Sequence, residues 1–118
     1  ELIEREGLIE RVREDTAPYL AEALAPLAAH RIVGEVRTFG MLAAIELVQS
    51  KDGPVMFEDT GATGVICRDH AISRGLMMRA VRDAMILSPA LTYSRADIDE
   101  TVRIAGQALD ATADQLGL

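Results

Sequence analysis

Apolar residues recur along this chain with two different periods. Through residues 1–29, Leu8, Val12, Tyr19, Leu20, Ala23, Leu24 and Leu27 fall near three or four apart with Glu and Arg between them, which predicts a helix. Pro18 predicts a kink or a restart in it, because proline lacks the N–H and its ring clashes with the preceding turn. Residues 31–48 predict two strands joined near Thr38-Phe39-Gly40, the second apolar except for Glu46. The stretch "QSKDGP" at 49–54 is turn chemistry. Residues 61–74 predict a short helix with Val65, Ile66 and Ile72 as its apolar face and a close at Arg74-Gly75, a basic last turn and a glycine cap. "LMMRAVRDAMILS" at 76–88 predicts a hairpin turning at Arg82-Asp83 and stopped by Pro89. A last helix starts at Ser94, with Asp97 three residues on as an approximate capping box. Its stripe of Ile98, Val102, Ala105, Leu109 and Ala113 runs to about Leu116.

The order helix, two strands, helix, two strands, helix predicts an α+β fold: a small, mostly antiparallel sheet with helices on one face. At 118 residues the chain is one domain's worth, 1–118, with no internal repeat. Composition narrows its partners. The net charge of −7, with 12 basic and 19 acidic residues, and the lack of a basic run argue against nucleic acid. No apolar stretch approaches the ~20 residues of a membrane helix, and no secretory signal is visible. Cys67 is the one cysteine and cannot pair within the chain, which fits a reducing cytoplasm. The opening "ELIEREGLIERVRED" starts inside a helical pattern without Met, so the expectation is a piece of something larger.

Few residues offer chemistry. Cys67 and His70 stand (i, i+3) on one helix with Asp69 between them, but nothing in the sequence activates the thiol, and a half-buried thiol beside a solvated His is the better reading. Two histidines and one cysteine match no zinc spacing. Gly61-Ala62-Thr63-Gly64 has the look of a phosphate loop but lacks the Gly-Lys-Ser/Thr ending, so glycines opening a helix are preferred. Lys51, the only lysine, lies in a wet turn beside a carboxylate, where an amine stays charged and unreactive.

Arg79 is different. Strand alternation puts Met77, Arg79 and Val81 on one side and Leu76, Met78 and Ala80 on the other. One reading is an edge-strand arginine with its stem packed and its head in water, and on these residues alone it is preferred. The other is an anion fork for a substrate carboxylate, using the guanidinium's rigid plane of donors. Arg37 has the same two readings, with Glu46 as a cross-strand partner.

Several ordered blocks change this balance. "FED", a later glycine, "CRDHAISRGLMMRAVRDAMILSPAL" and "SRADIDETVRIAGQALD" closely resemble the C-terminal end of class III (omega-type) pyridoxal-phosphate aminotransferases. The likeness is strongest to the group acting on putrescine and other omega-amines with pyruvate as acceptor. "VGEVRTFGMLAAIEL" resembles the family's strand pair and residues 1–29 its domain-linking helix, so the resemblance covers essentially the whole chain. It implies the small C-terminal domain of a fold type I enzyme: a homodimer with active sites at the subunit interface, in which pyridoxal phosphate passes an amino group from an amine to a keto acid. The family's Gly-Leu-hydrophobic-x-Arg block is Gly75-Leu76-Met77-Met78-Arg79 here, and its arginine holds the acceptor's carboxylate and swings away for an amine that has none. Arg79 is therefore expected to bind the substrate carboxylate.

The chain departs from the family pattern in places. Arg82 stands where the family usually has glycine, "Ser-Pro-Pro-Leu" is Ser88-Pro89-Ala90-Leu91, and Thr38 replaces a turn glycine. The Schiff-base lysine and the groups that hold the cofactor lie upstream in the family, and Lys51 cannot stand in for the lysine. No catalytic, cofactor-binding or metal-binding residue is assigned in this chain. Alone it is expected to be inactive, to bind no pyridoxal phosphate tightly, and to self-associate through the face that meets the large domain. The competing expectation is a free-standing, non-enzymatic module of the same fold that binds a small carboxylate or a partner.

Overall fold

The computed structural model describes residues 2–51, 57, 61–90 and 93–118, with side chains from residue 7 onward. Its sheet is built from two antiparallel hairpins joined through their second strands. Strands β1 (Val33–Phe39) and β2 (Leu42–Leu47) form the first, and β3 (Arg79–Val81) and β4 (Ala84–Leu87) the second. The spatial order is β1-β2-β4-β3, every neighbour antiparallel, so β1 and β3 are the two edges. In register, Ile45 stands opposite Met85 and Ala44 opposite Ile86, which gives all four strands one common pair of faces.

One face is the core. Ile45 and Leu47 of β2 and Met85 and Leu87 of β4 are buried with Leu20, Leu24, Ile98 and Leu109 from the helices. Each such side chain contributes on the order of 2 kcal/mol. Helix α4 (Arg95–Leu116) packs against α2 (Ala17–Leu24) and α3 (Ala62–Ser73), while α3 also lies along β3 and β4. The capping box at the start of α4 is complete: Asp97 N donates to Ser94 Oγ at 3.2 Å, and Ser94 N donates to Asp97 Oδ2 at 2.9 Å. No described helix is long and apolar enough to cross a membrane.

The first helix is segmented where proline requires it. α1 (Leu2–Arg11) runs into one π-helical turn, Val12–Thr16, before α2 restarts with Pro18 in its first turn. Within that turn Ala17 N reaches back five residues to Val12 O. The wider turn precedes a residue that has no N–H to give and whose ring crowds the carbonyl four back. A 3-10 segment, Ala25–Ala29, then leads to β1.

Helix α3 corrects the sequence reading. Val65 and Ile72, expected in its apolar face, are 40% and 46% exposed, while its buried residues are Thr63, Gly64, Cys67 and Ala71. The helix turns its small side chains inward because it approaches its neighbours closely. A Cβ on Gly64 would collide with the Arg82 carbonyl oxygen. The end of α3 is as expected: Gly75, at φ 88°, is followed by Leu76 N bonding to Ala71 O at 2.9 Å. Residues 52–54 of the expected turn and Leu91 of the Ser-Pro block lie outside the described residues.

Candidate functional site

The helices cover one face of the sheet, and the other presents a defined set of side chains. Across the four strands, Arg37, Ala44, Ile86 and Arg79 share one row, with an arginine at each edge. Three inter-strand steps separate the two, roughly 14 Å. Phe39, Leu42, Met77 and Val81 share this face and are 86%, 48%, 75% and 51% exposed. Four large apolar side chains on one sheet face form the kind of patch that marks an interaction surface.

The alternation expected for β3 is observed. Met77, Arg79 and Val81 are exposed, whereas Leu76 and Met78 are buried. Arg79 borders a groove of about 290 Å³ whose lining includes Met77, Ile86, Ser88, Pro89 and Tyr93. Among the described residues no carboxylate or other hydrogen-bonding group engages its guanidinium. Arg37, at the other edge, is held by two carboxylates: its Nη1 lies 3.3 Å from Glu35 Oε2 and 3.3 Å from Glu46 Oε2. Glu35 and Glu46 are register partners, a like-charge pair that Arg37 relieves. Of the two arginines with the same sequence reading, one is neutralised within the domain and the other is left available.

The glycine motif at 61–64 also resolves. Asp83, 5% exposed, sends its Oδ1 to accept from Gly61 N at 3.1 Å and from Gly64 N at 3.0 Å. The N-terminus of α3 does bind an anion, and that anion is a carboxylate of the chain itself. The sequence reading treated Asp83 only as a turn residue. Its one local signal was that α3 has no acidic side chain in its own first turn and no capping side chain at Gly61. Beside it, Arg82 has φ 56°, so the turn demands the left-handed conformation that glycine adopts freely.

No family model matches the chain. Among curated proteins it is 46% identical over 112 residues to the putrescine–pyruvate aminotransferase of Pseudomonas aeruginosa, covering 95% of this chain and 24% of that protein. It is 35% identical over 118 residues to the diaminobutyrate–2-oxoglutarate transaminase of Halomonas elongata, covering 98% of this chain and 25% of that protein. Among solved structures, a transaminase with L-alanine superposes with a TM-score of 0.90 at 31% identity, over 99% of this chain and 27% of that one. The omega transaminase of Pseudomonas jessenii in complex with PMP gives 0.89 at 29% identity, over 98% of this chain and 25% of that one. The chain belongs to the class III pyridoxal-phosphate-dependent aminotransferases. It corresponds to their C-terminal domain, in the fold type I architecture, and spans about a quarter of the length of the curated relatives it matches.

That family implies pyridoxal phosphate in the parent enzyme. The residues described in this aminotransferase domain do not fit the covalent seat for it. Lys51 is exposed, and its side-chain nitrogen donates to Ala28 O at 2.6 Å and to His30 O at 3.3 Å, without the desolvated pocket that an imine-forming lysine needs. The glycine-rich helix start that could cradle a phosphate is already taken by Asp83. Cys67 is fully buried, not half-buried as expected; burial pushes its thiol pKa up, with the neighbouring Thr112 side chain opposing this in part. His70 turns away to Gln115, with Nε2 2.8 Å from Oε1. No described group of three His, Cys, Asp or Glu side chains is arranged to hold a metal ion.

Proposed function

We propose that this domain forms part of a transaminase that moves an amino group from an omega-amine or amino acid to pyruvate or a similar keto acid, with Arg79 holding the acceptor's carboxylate. The observation that carries this reading is the contrast between the arginines: Arg79 is exposed and unengaged among the described residues, beside a groove that also carries Met77 and Ile86. A guanidinium of this kind binds a carboxylate through two parallel N–H donors. An amine without a carboxylate needs apolar surface instead, and a long, exposed side chain can swing to uncover it. Leaving the charge mobile avoids a buried, unpaired partner. Pyruvate as the acceptor in this reading follows the 46% identical relative named for it. The relatives named for pyruvate and for 2-oxoglutarate make this a real choice.

The lysine that carries the cofactor, in this reading, belongs to the rest of a cytoplasmic, homodimeric enzyme, whose large domain covers the open sheet face. These 118 residues alone neither transaminate nor hold pyridoxal phosphate tightly, and the uncovered face drives them to self-associate. A stoichiometric visible band of lysine-bound pyridoxal on the purified chain, or a clean monomer by light scattering, would count against those two statements. The central test is Arg79→Ala in a full-length class III aminotransferase carrying this domain. The KM for pyruvate should rise about 10- to 100-fold, as loss of a charged hydrogen-bonded pair implies. The KM for the amine donor should change little. An unchanged pyruvate KM would overturn the assignment.

A further inference from the structure

The strand that carries Arg79 is weakly supported by the sheet itself. β3 is three residues long and lies at an edge, paired on one side only through Arg79–Ile86, Ala80–Met85 and Val81–Ala84. What holds its other end is the turn. The Asp83 carboxylate bonds to Gly61 N and Gly64 N at the start of α3, and its backbone carbonyl accepts from Leu47 N at 2.8 Å. One residue thus joins the second hairpin, the central strand β2 and a twelve-residue helix. Gly64 makes this possible, because any larger residue would strike the Arg82 carbonyl. The turn accepts a non-glycine residue at φ 56° to keep this geometry. The three residues of β3 and the left-handed turn residue Arg82, less than about 13 Å of chain, connect the anchor to Arg79, so a tilt at the turn is carried to the guanidinium.

We propose that Asp83 is a positioning residue for Arg79, tying the turn to α3 and thereby setting where the guanidinium meets the acceptor's carboxylate. The inference rests on Arg79 being the carboxylate clamp. Its test is Asp83→Ala, Asp83→Asn and Arg79→Ala side by side in a full-length class III aminotransferase carrying this domain. Asp83→Ala should raise the keto-acid KM about tenfold and leave the amine-donor KM within about twofold, since only the carboxylate contact is displaced. Asp83→Asn keeps an oxygen that accepts both N–H groups and should restore most of the keto-acid KM. If Asp83→Ala does not fold, Asp83→Glu carries the test: it retains the charge but pushes the turn away by one methylene and should raise the same KM. A selective effect of Arg79→Ala with no change in keto-acid KM for Asp83→Ala or Asp83→Glu overturns the positioning role and leaves the clamp standing. No selective effect of Arg79→Ala overturns both.

Discussion

The two edge strands carry their arginines in opposite ways. On β1, a seven-residue strand, Arg37 bridges Glu35 and Glu46 and its charge is spent inside the sheet. On β3, a three-residue strand, Arg79 meets no described partner, and the strand is instead secured from its turn by buried Asp83. Edge strands are usually protected by charge that stays in water. β1 follows that rule with a self-contained ionic cluster. β3 follows it with an exposed guanidinium that has no described partner and takes its structural bonds from the turn, an arrangement that the proposed carboxylate clamp would use.

The comparison can be broken most severely at the anchor. Asp83→Ala leaves two N–H groups at the start of α3 without their acceptor, and should cost about 3 kcal/mol of stability in chemical denaturation. At the other edge Glu46→Ala removes only a partly exposed ion pair, and should cost no more than about 0.5 kcal/mol. Equal losses would show that the two edges are held alike.

Next in size is the ligand contrast. Arg79→Ala should weaken a carboxylate acceptor about 10- to 100-fold, while Arg37→Ala should change it less than about twofold. Kinetics on both variants, with the keto acid varied, would expose any exchange of roles.

The turn itself offers a gain. Arg82 occupies the left-handed region at φ 56°, so Arg82→Gly should stabilise the domain by about 1 kcal/mol, read as a rise in Tm. No rise would mean that the arginine side chain compensates locally. The smallest effect concerns pH at the start of α4, beside the Arg79 groove. The N–H of Ser94, and then its hydroxyl, hold the Asp97 carboxyl below the usual carboxylate range. A folded-state pKa that is depressed gives stability present above the unfolded carboxylate value and lost as pH falls through the folded one. Asp97→Asn should therefore lower Tm slightly at neutral pH and flatten its fall in acid, because the stability that depends on the ionised carboxylate is gone.

What was legible in the chain was what neighbours in sequence decide. Ser94 with Asp97, Gly75 after Arg74, the restart at Pro18 and the alternation of residues 76–81 each use groups within four residues of one another, and each is found as read. The α3 face was misread for a complementary reason. Periodicity says which residues share a side of a helix, but not how closely that side approaches its neighbour. There the close approach of the Arg82 turn requires Gly64, and Cys67 and Ala71 are buried where Val65 and Ile72 are not.

The residues by themselves determined an α+β domain, its elements in order, and a single arginine block pointing out of a short strand. Only the tertiary structure showed which arginine is engaged: Arg37 meets Glu46 across the sheet as well as Glu35 two residues away, while Arg79 meets no described partner. It also showed that Asp83, 19 residues from Gly64, takes the helix start that an external anion would otherwise seek. Buried donors must find acceptors wherever the fold places them, and that requirement acts through space, leaving in the local pattern only a helix start without its own cap.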